Sequence, residues 1–358
     1  MKVLLVNPTC NYNINKNKNL NFKKSAKVTA LKTCEPELKH YINVLSSKYK
    51  VSAHIQFFID ALNKIKTNSN EILNIADVGC SDGMLTRTIS KYFEKNVKFF
   101  GIDLSEDMLD LARTEDKKMG INSEYKKANA FNLPFKDESM DAMILSSIMH
   151  ELYSYASPEF NEKEYSKDSI LHFMQKANKK LKKGGVLIIK DSATCEKDYN
   201  DKVKFININK NNGEIPFIKK TLDLMNADVT KVCSLNKLQR FCLEFKPAQG
   251  FIEWENDECI MPKWLVTEFL RQRKCIRTPE YWAYEIKERY GTMRPEEMID
   301  YAKKSGFDVI KAENISISNK VNEYAIDEDE FSIIDSKNKK LTFEDFPMFL
   351  QVVLRKPV

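Results

Sequence analysis

The eight cysteines of this chain form no C-x-x-C pair. That spacing argues against a zinc knuckle or a redox dithiol, so no metal site is expected. Long apolar runs are also missing. The longest are short stretches such as 186–189 and 348–350, far below the roughly 20 residues that a membrane-spanning helix needs. The opening MKVLLVNPTCNYN has too short an apolar stretch for a signal peptide, and no small-residue cleavage pattern comes after it. A cytoplasmic protein with no membrane partner is the expectation, and in that compartment the cysteines are expected as free thiols. No internal repeat is visible.

What is present is a core-forming composition: 358 residues, 42% apolar and 30% charged. This length suits one large domain, or a core domain with a sizeable addition. The net charge of +6 is unevenly placed, since residues 1–70 carry 12 Lys and Arg against 3 Asp and Glu. Such an arm can meet nucleic-acid phosphates, or it can be a solvated segment with no partner. Few aromatic residues are interleaved with its lysines, which favours the second reading.

Residues 1–70 read as an N-terminal extension, with a short strand over 1–8 and helices over 36–46 and 52–66. In the last of these, Ile55, Phe58, Ile59, Leu62 and Ile65 recur at helical spacing. Residues 71–194 then alternate strand and helix. Strands are expected over 72–78, 97–102, 123–127, 141–147 and 186–190. Helices are expected over 84–93, 106–120 and 169–181, the last closed by Gly184-Gly185. Ser105 is a natural cap for the second helix, with Glu106 and Asp107 in its first turn.

The alternation breaks over residues 195–290, an aromatic-rich insertion that holds all three tryptophans. Helices are expected there over 263–274 and 280–290. Residues 291–358 supply a last helix, 295–305, and closing strands over 307–310 and 348–354. The expected fold class is α/β: a seven-stranded, mostly parallel, Rossmann-like sheet with helices on both faces, an N-terminal extension and a helical insertion.

The candidate ligand site lies at the carboxyl ends of the strands. Gly79 and Gly83 bracket the turn from the first strand into its helix, where glycine allows a sharp turn and close approach to a ligand. Asp103 ends the next strand, where a carboxylate can accept both hydroxyl protons of a ribose. Met108 can pack against an adenine ring or simply fill the core. Asn129 and Ala130 come after the third strand, and Ser146 ends the fourth. The first turn reads G-C-S-D-G, not G-x-G-x-x-G. It lacks the middle glycine that lets a pyrophosphate approach, which argues against a nicotinamide dehydrogenase.

Taken together, these stretches resemble a class I S-adenosylmethionine-dependent methyltransferase. Asp77-Val78-Gly79-Cys80-Ser81-Asp82-Gly83 is similar to the family's first motif, and Asp103-Leu104-Ser105-Glu106-Asp107-Met108 to its ribose-binding motif. Asn129-Ala130 with Leu133-Pro134-Phe135 resembles the adenine-side motif, with Asn129 where many members have Asp. The resemblance covers about 72–192 well and 295–358 loosely. It implies S-adenosylmethionine as cofactor, held by Asp77, Gly79, Cys80, Ser81, Gly83, Asp103, Leu104, Met108, Asn129, Ala130 and Ser146. It also implies methyl transfer, which requires in-line alignment and only sometimes a base.

His150 and Asp191 are candidate bases on the acceptor side, and Glu151 a candidate base or loop-ordering residue. Each has a structural alternative. Tyr153 and Tyr155 are candidate walls of an acceptor pocket. The aromatics of 195–290 either line that pocket or form a private core of the insertion. Arg271, Arg273, Lys274 and Arg277 suggest a positive patch. No Asp-Asn pair suggests a metal-dependent catechol site. After the fourth strand there is neither the Pro-Pro-aromatic signature of an amino-methylating DNA enzyme nor a Pro-Cys nucleophile. The leading expectation is a small-molecule acceptor. RNA is the alternative, bound through the basic arm and the arginine patch. A protein acceptor and a non-catalytic adenosine-cofactor module also stay open, as does the oligomeric state.

Overall fold

The computed structural model describes residues 48–65, 71–93, 97–155, 157, 161, 163–196, 198–210, 217–273, 278–316 and 329–358. The expected strand over 1–8 and helix over 36–46 lie outside the described residues. The first described element is helix α1 (Lys48–Leu62), whose Phe58 and Leu62 are fully buried.

The core alternates strand and helix as its hydrophobic pattern dictates. Strand β1 (Leu73–Val78) leads into α2 (Met84–Ser90), and β2 (Val97–Asp103) into α3 (Glu106–Met119). The Ser105 hydroxyl accepts from the Met108 N–H at the start of α3, and Gly120 closes that helix in the left-handed conformation. Next come β3 (Glu124–Lys127), β4 (Met140–Ser146), α4 (Met149–Ser154), α5 (Lys167–Lys180) and β5 (Leu181–Ser192).

After β5 the chain forms β6 (Lys202–Ile206), α6 (Thr221–Asn226), α7 (Ser234–Glu244), β7 (Glu253–Glu255), β8 (Glu258–Pro262), α8 (Lys263–Gln272) and α9 (Pro279–Glu285). It closes with α10 (Pro295–Lys304), β9 (Asp308–Ile315), β10 (Ser332–Ile334), β11 (Lys340–Leu341) and β12 (Phe349–Arg355).

Seven strands form one sheet in the order β3-β2-β1-β4-β5-β12-β9. Strands β1 to β5 run parallel, and β12 is antiparallel to both β5 and β9. This is the expected Rossmann-like sheet, its two faces buried as parallel strands require. One face packs Phe173 and Met174 of α5 and Met298 of α10 against Leu187 and Ile189. The other packs Ile55 and Phe58 of α1 and Ile89 of α2 against Ile75 and Ile188.

Three expectations need correction. Gly184-Gly185 does not close a helix. The helix ends at Lys180 and β5 begins at Leu181, with the glycines inside the strand. Gly184 has φ +77° beside a shift in the β4–β5 register, and a Cβ on Gly185 would stand 2.9 Å from the Lys182 carbonyl. The pair therefore forms a bulge, where backbone meets backbone too closely for a side chain.

The insertion is not purely helical either. Its β6, β8 and β7 join β10 and β11 in a five-stranded antiparallel sheet of order β11-β10-β6-β8-β7. The last segment consequently does not serve the core alone. The aromatics of the insertion form a private core: Phe205, Phe241, Phe245, Phe269, Trp264 and Trp282 pack together with Phe331.

The third correction concerns the arginine patch. Arg271 and Arg273 are buried. The Arg271 guanidinium donates to the Pro347 and Met348 carbonyls at 3.0 and 2.9 Å. Arg273 pairs with Glu330 and stacks over Phe331. Lys274 and Arg277 lie outside the described residues.

Candidate active site

Strand order places the carboxyl ends of β2, β1, β4 and β5 side by side, and the candidate residues lie along that edge. After β1 the N–H groups of Gly79 and Cys80 both donate to the Ile102 carbonyl, at 2.8 and 3.0 Å. Gly79, Ser81 and Gly83 all adopt positive φ, which makes the turn sharp enough to enter α2 at once. A Cβ on Gly79 would stand 2.3 Å from Ile148 Cδ1, and one on Gly83 would stand 2.4 Å from the Tyr125 hydroxyl. The close approach that requires these glycines is thus made by the protein's own side chains.

Asp103 closes the site from β2. Its Oδ2 accepts from the Ser81 N–H and its Oδ1 from the Ser105 N–H, both at 2.9 Å. Each oxygen keeps a lone pair for a further donor. Beside it Leu104 is 63% exposed while Met108 is buried. An open apolar side chain next to a carboxylate with spare acceptor capacity fits a nucleoside, whose sugar offers hydroxyls and whose base offers an apolar face. Asn129 turns its Oδ1 onto the Phe131 N–H at 2.9 Å, an Asx turn that shapes the loop after β3. Ala130 and Ser146 are half-buried along the same edge.

Asp77 and Cys80 are placed differently. Asp77 is buried and its Oδ2 accepts from the Thr86 hydroxyl at 2.6 Å, tying β1 to α2 beneath the turn. Burial pushes its carboxyl up to about 6, against the lowering effect of Thr86 and with the help of Asp103 and Asp82. Cys80 is buried, and burial together with Asp77 and Asp103 pushes its thiol far up. Behind the turn, Arg87 Nη1 donates to the Asp82 carbonyl at 2.8 Å and reaches Asp116 at 3.3 Å. Asp116 in turn accepts from the Tyr125 hydroxyl at 3.0 Å.

On the acceptor side, His150 and Asp191 meet. Nδ1 of His150 lies 2.8 Å from Asp191 Oδ1, and the His150 N–H donates to Asp191 Oδ2 at 3.2 Å. A third residue, not anticipated, completes the arrangement: Glu288 Oε2 lies 3.4 Å from His150 Nε2. Tyr155 donates its hydroxyl to Glu288 Oε1 at 2.8 Å, and Tyr290 packs on the imidazole with ring centroids 4.8 Å apart. Burial pulls the imidazole pKa down, but Asp191 and Glu288 outweigh it and hold the group well above 6.5. The two carboxylates thus favour the protonated ring. Glu151 is half-buried on the same helix.

The segment that carries Glu288 is gripped from both sides. Glu268, fully buried on α8, accepts from the N–H groups of Tyr290 and Gly291 at 2.8 and 2.6 Å. From the core, Tyr165 donates to the Lys287 carbonyl at 2.8 Å, and Ser154 Oγ accepts from the Arg289 N–H at 2.9 Å. Arg289 then lies between Tyr153 of α4 and Tyr199 beyond β5. Sequence reasoning missed Glu268, Glu288 and Arg289. One signal was available: Glu268 sits in KWLVTEFLRQ, every residue of which is buried. An acid in so apolar a stretch must find internal donors.

Residues 75–185 match a family model described as a methyltransferase domain. A demethylmenaquinone methyltransferase of Lactococcus lactis subsp. lactis (strain IL1403) is 32% identical over 120 residues, which is 32% of this chain and 48% of that protein. The chain thus spans about half the length of this curated relative. Among solved structures, an S-adenosylmethionine-dependent methyltransferase from Clostridium acetobutylicum superposes with a TM-score of 0.43 at 12% identity, covering 90% of this chain and 99% of its own. One from Mesorhizobium loti gives 0.42 at 16% identity, covering 84% and 96%. Family match, motifs and strand order agree: residues 75–185 carry a methyltransferase domain similar to those of the class I S-adenosylmethionine-dependent methyltransferases.

Proposed function

We infer that the protein transfers a methyl group from S-adenosylmethionine to a small-molecule acceptor. The observation that carries the cofactor half is Asp103. Two backbone N–H groups fix its carboxylate at the end of β2, with acceptor capacity left for two sugar hydroxyls. Leu104 stands open beside it. The cofactor, when bound, supplies a sulfonium methyl whose bonding pair returns to sulfur as the methyl leaves. The chain's own work is to hold the nucleoside at Asp103 and to set the acceptor in line at the ends of β4 and β5.

His150 is a positioning residue in this reading. Both ring nitrogens face carboxylates, which engages them in the fold and favours the protonated ring over a free base. It fixes α4 against β5 and against the segment that carries Glu288. Asp191 is likewise committed, accepting from the imidazole, from the His150 N–H and from the Ser192 N–H. The reaction then rests on proximity and orientation, with the acceptor's proton released to solvent.

A small molecule is favoured over RNA by the burial of Arg271 and Arg273, which removes two cations from the surface an RNA would need. The relative from Lactococcus lactis is also named for an acceptor of that class. Calorimetry with S-adenosylmethionine and S-adenosylhomocysteine tests the cofactor half. Both should bind competitively, and Asp103→Ala should weaken binding about 10- to 100-fold through loss of charge-assisted hydrogen bonds. Binding unaffected by that change would remove Asp103 from the site.

A further inference from the structure

Arg289 is a cation without a carboxylate of its own. Among the described residues its guanidinium makes no ion pair. Nη1 reaches the Tyr153 hydroxyl at 3.4 Å, Nη2 reaches the Tyr199 hydroxyl, and the buried Nε finds no hydrogen-bond partner. The nearby acid, Glu268, is occupied by the Tyr290 and Gly291 N–H groups. The guanidinium lies over the Trp264 ring, 4.2 Å from its centroid, a cation–π contact that helps to hold it in place. Arg294, which covers the other tyrosine at 5.4 Å, is already neutralised by Glu296 and Glu297.

The hydrogen-bond count sharpens this. An arginine only donates, so both tyrosine oxygens accept from it, and each phenol keeps its own proton to give away. One fixed positive charge and two O–H donors therefore converge with no acceptor to receive them. Leaving such groups unmatched is costly in a protein interior, and the arrangement is stable once a negative oxygen enters. The cluster is half-buried at Arg289 and Tyr199 and so reaches the surface. Tyr153 lies beyond the end of β4 and Tyr199 beyond that of β5, which places the cluster on the acceptor side of the sheet.

We propose that Arg289, Tyr153 and Tyr199 bind a carboxylate carried by the acceptor, which makes the substrate an organic acid. This rests on the methyltransferase reading and gives that site its substrate class. A single guanidinium balances one charge, which suits a carboxylate better than a phosphate dianion. The fork of an arginine also accepts a carboxylate edge-on.

The test uses the full chain with methyl-tritiated S-adenosylmethionine and a small-molecule cell extract. The extract is split on anion-exchange resin at neutral pH into retained and flow-through pools. Label is expected from the retained pool, unchanged by prior phosphatase treatment and lost after esterification of its carboxyls. With the labelled acceptor purified, Arg289→Gln and Tyr199→Phe should each raise its KM about tenfold or more. Calorimetric affinity for the cofactor should stay within about twofold, a split that a general loss of structure does not give.

Tyr199→Phe removes one hydroxyl only, so it keeps the test decisive if Arg289→Gln fails to fold. Label confined to the flow-through pool, sensitivity to phosphatase, or an unchanged KM in Tyr199→Phe overturns the organic-acid assignment and leaves the methyltransferase reading standing. Cofactor binding with no label from either pool overturns both.

Discussion

Replacing Asp77 by Asn isolates one buried charge beneath the cofactor turn. The side chain is buried, held by Thr86, and its carboxyl is pushed up to about 6 by desolvation and by Asp103 and Asp82. Asn keeps the oxygen that accepts from the Thr86 hydroxyl and removes the titration. The folded state binds the proton more tightly than the unfolded chain, whose value is near 3.8. Stability contributed by the protonated form is therefore fully present below that unfolded value and is lost as pH rises through about 6. At 1.36 kcal/mol per pH unit the whole effect is about 3 kcal/mol, of which about 2 falls between roughly pH 4.5 and 7.5.

Urea melts of wild type and Asp77→Asn across that window give the difference directly. The variant should gain on wild type by about 2 kcal/mol as pH rises. A difference constant to within about 0.5 kcal/mol would refute the reasoning, because it would mean that Asp77 titrates normally in the fold.

Gly79→Ala should cost about 1–2 kcal/mol from its left-handed backbone alone, and more while Ile148 stands 2.3 Å from the new Cβ. In an Ile148→Ala background only the backbone part should remain, so equal losses in both backgrounds in denaturant melts would exclude the contact. His150→Gln should destabilise by about 3–5 kcal/mol, because it leaves Asp191 and Glu288 facing each other without a cation. Adding Glu288→Gln should recover part of that loss. In the wild type the His150 contribution is present below 6.5 and should disappear only as pH climbs through the raised folded value, which an NMR titration of the imidazole reads.

The glycine turn and the cap beside Asp103 were legible in the sequence because they are local. Ser105 caps α3 two residues after Asp103, and the glycine turn lies between adjacent elements. Hydrophobic periodicity gave the strands in order, and order alone aligns their carboxyl ends. It misread Gly184-Gly185, since a glycine pair after a helical pattern is the same signal whether it caps a helix or bulges a strand. The insertion was harder. Its β6 and β10 pair through Lys204–Ile206 and the distant 332–334 stretch, a contact that no window of sequence contains. The arginine patch failed for a related reason. Arg271 lies among apolar residues, and only the fold supplies the Pro347 and Met348 carbonyls that let it stay inside.

The family match ends at residue 185, yet the charged cluster around His150 draws on residues beyond that point. Asp191 continues β5, and Glu288, Arg289 and Tyr290 come from the segment between α9 and α10. Two buried acids, Asp191 and Glu288, flank the His150 ring, and a third, Glu268, holds the Tyr290 and Gly291 N–H groups. Removing His150 leaves both flanking carboxylates without their cation in a low-dielectric setting, which couples the core strand to the segment that carries Glu288. Substitutions at His150, Asp191 and Glu288 should therefore be strongly non-additive with one another, whereas the Asp103 side, built from one turn and one strand end, should add independently to them.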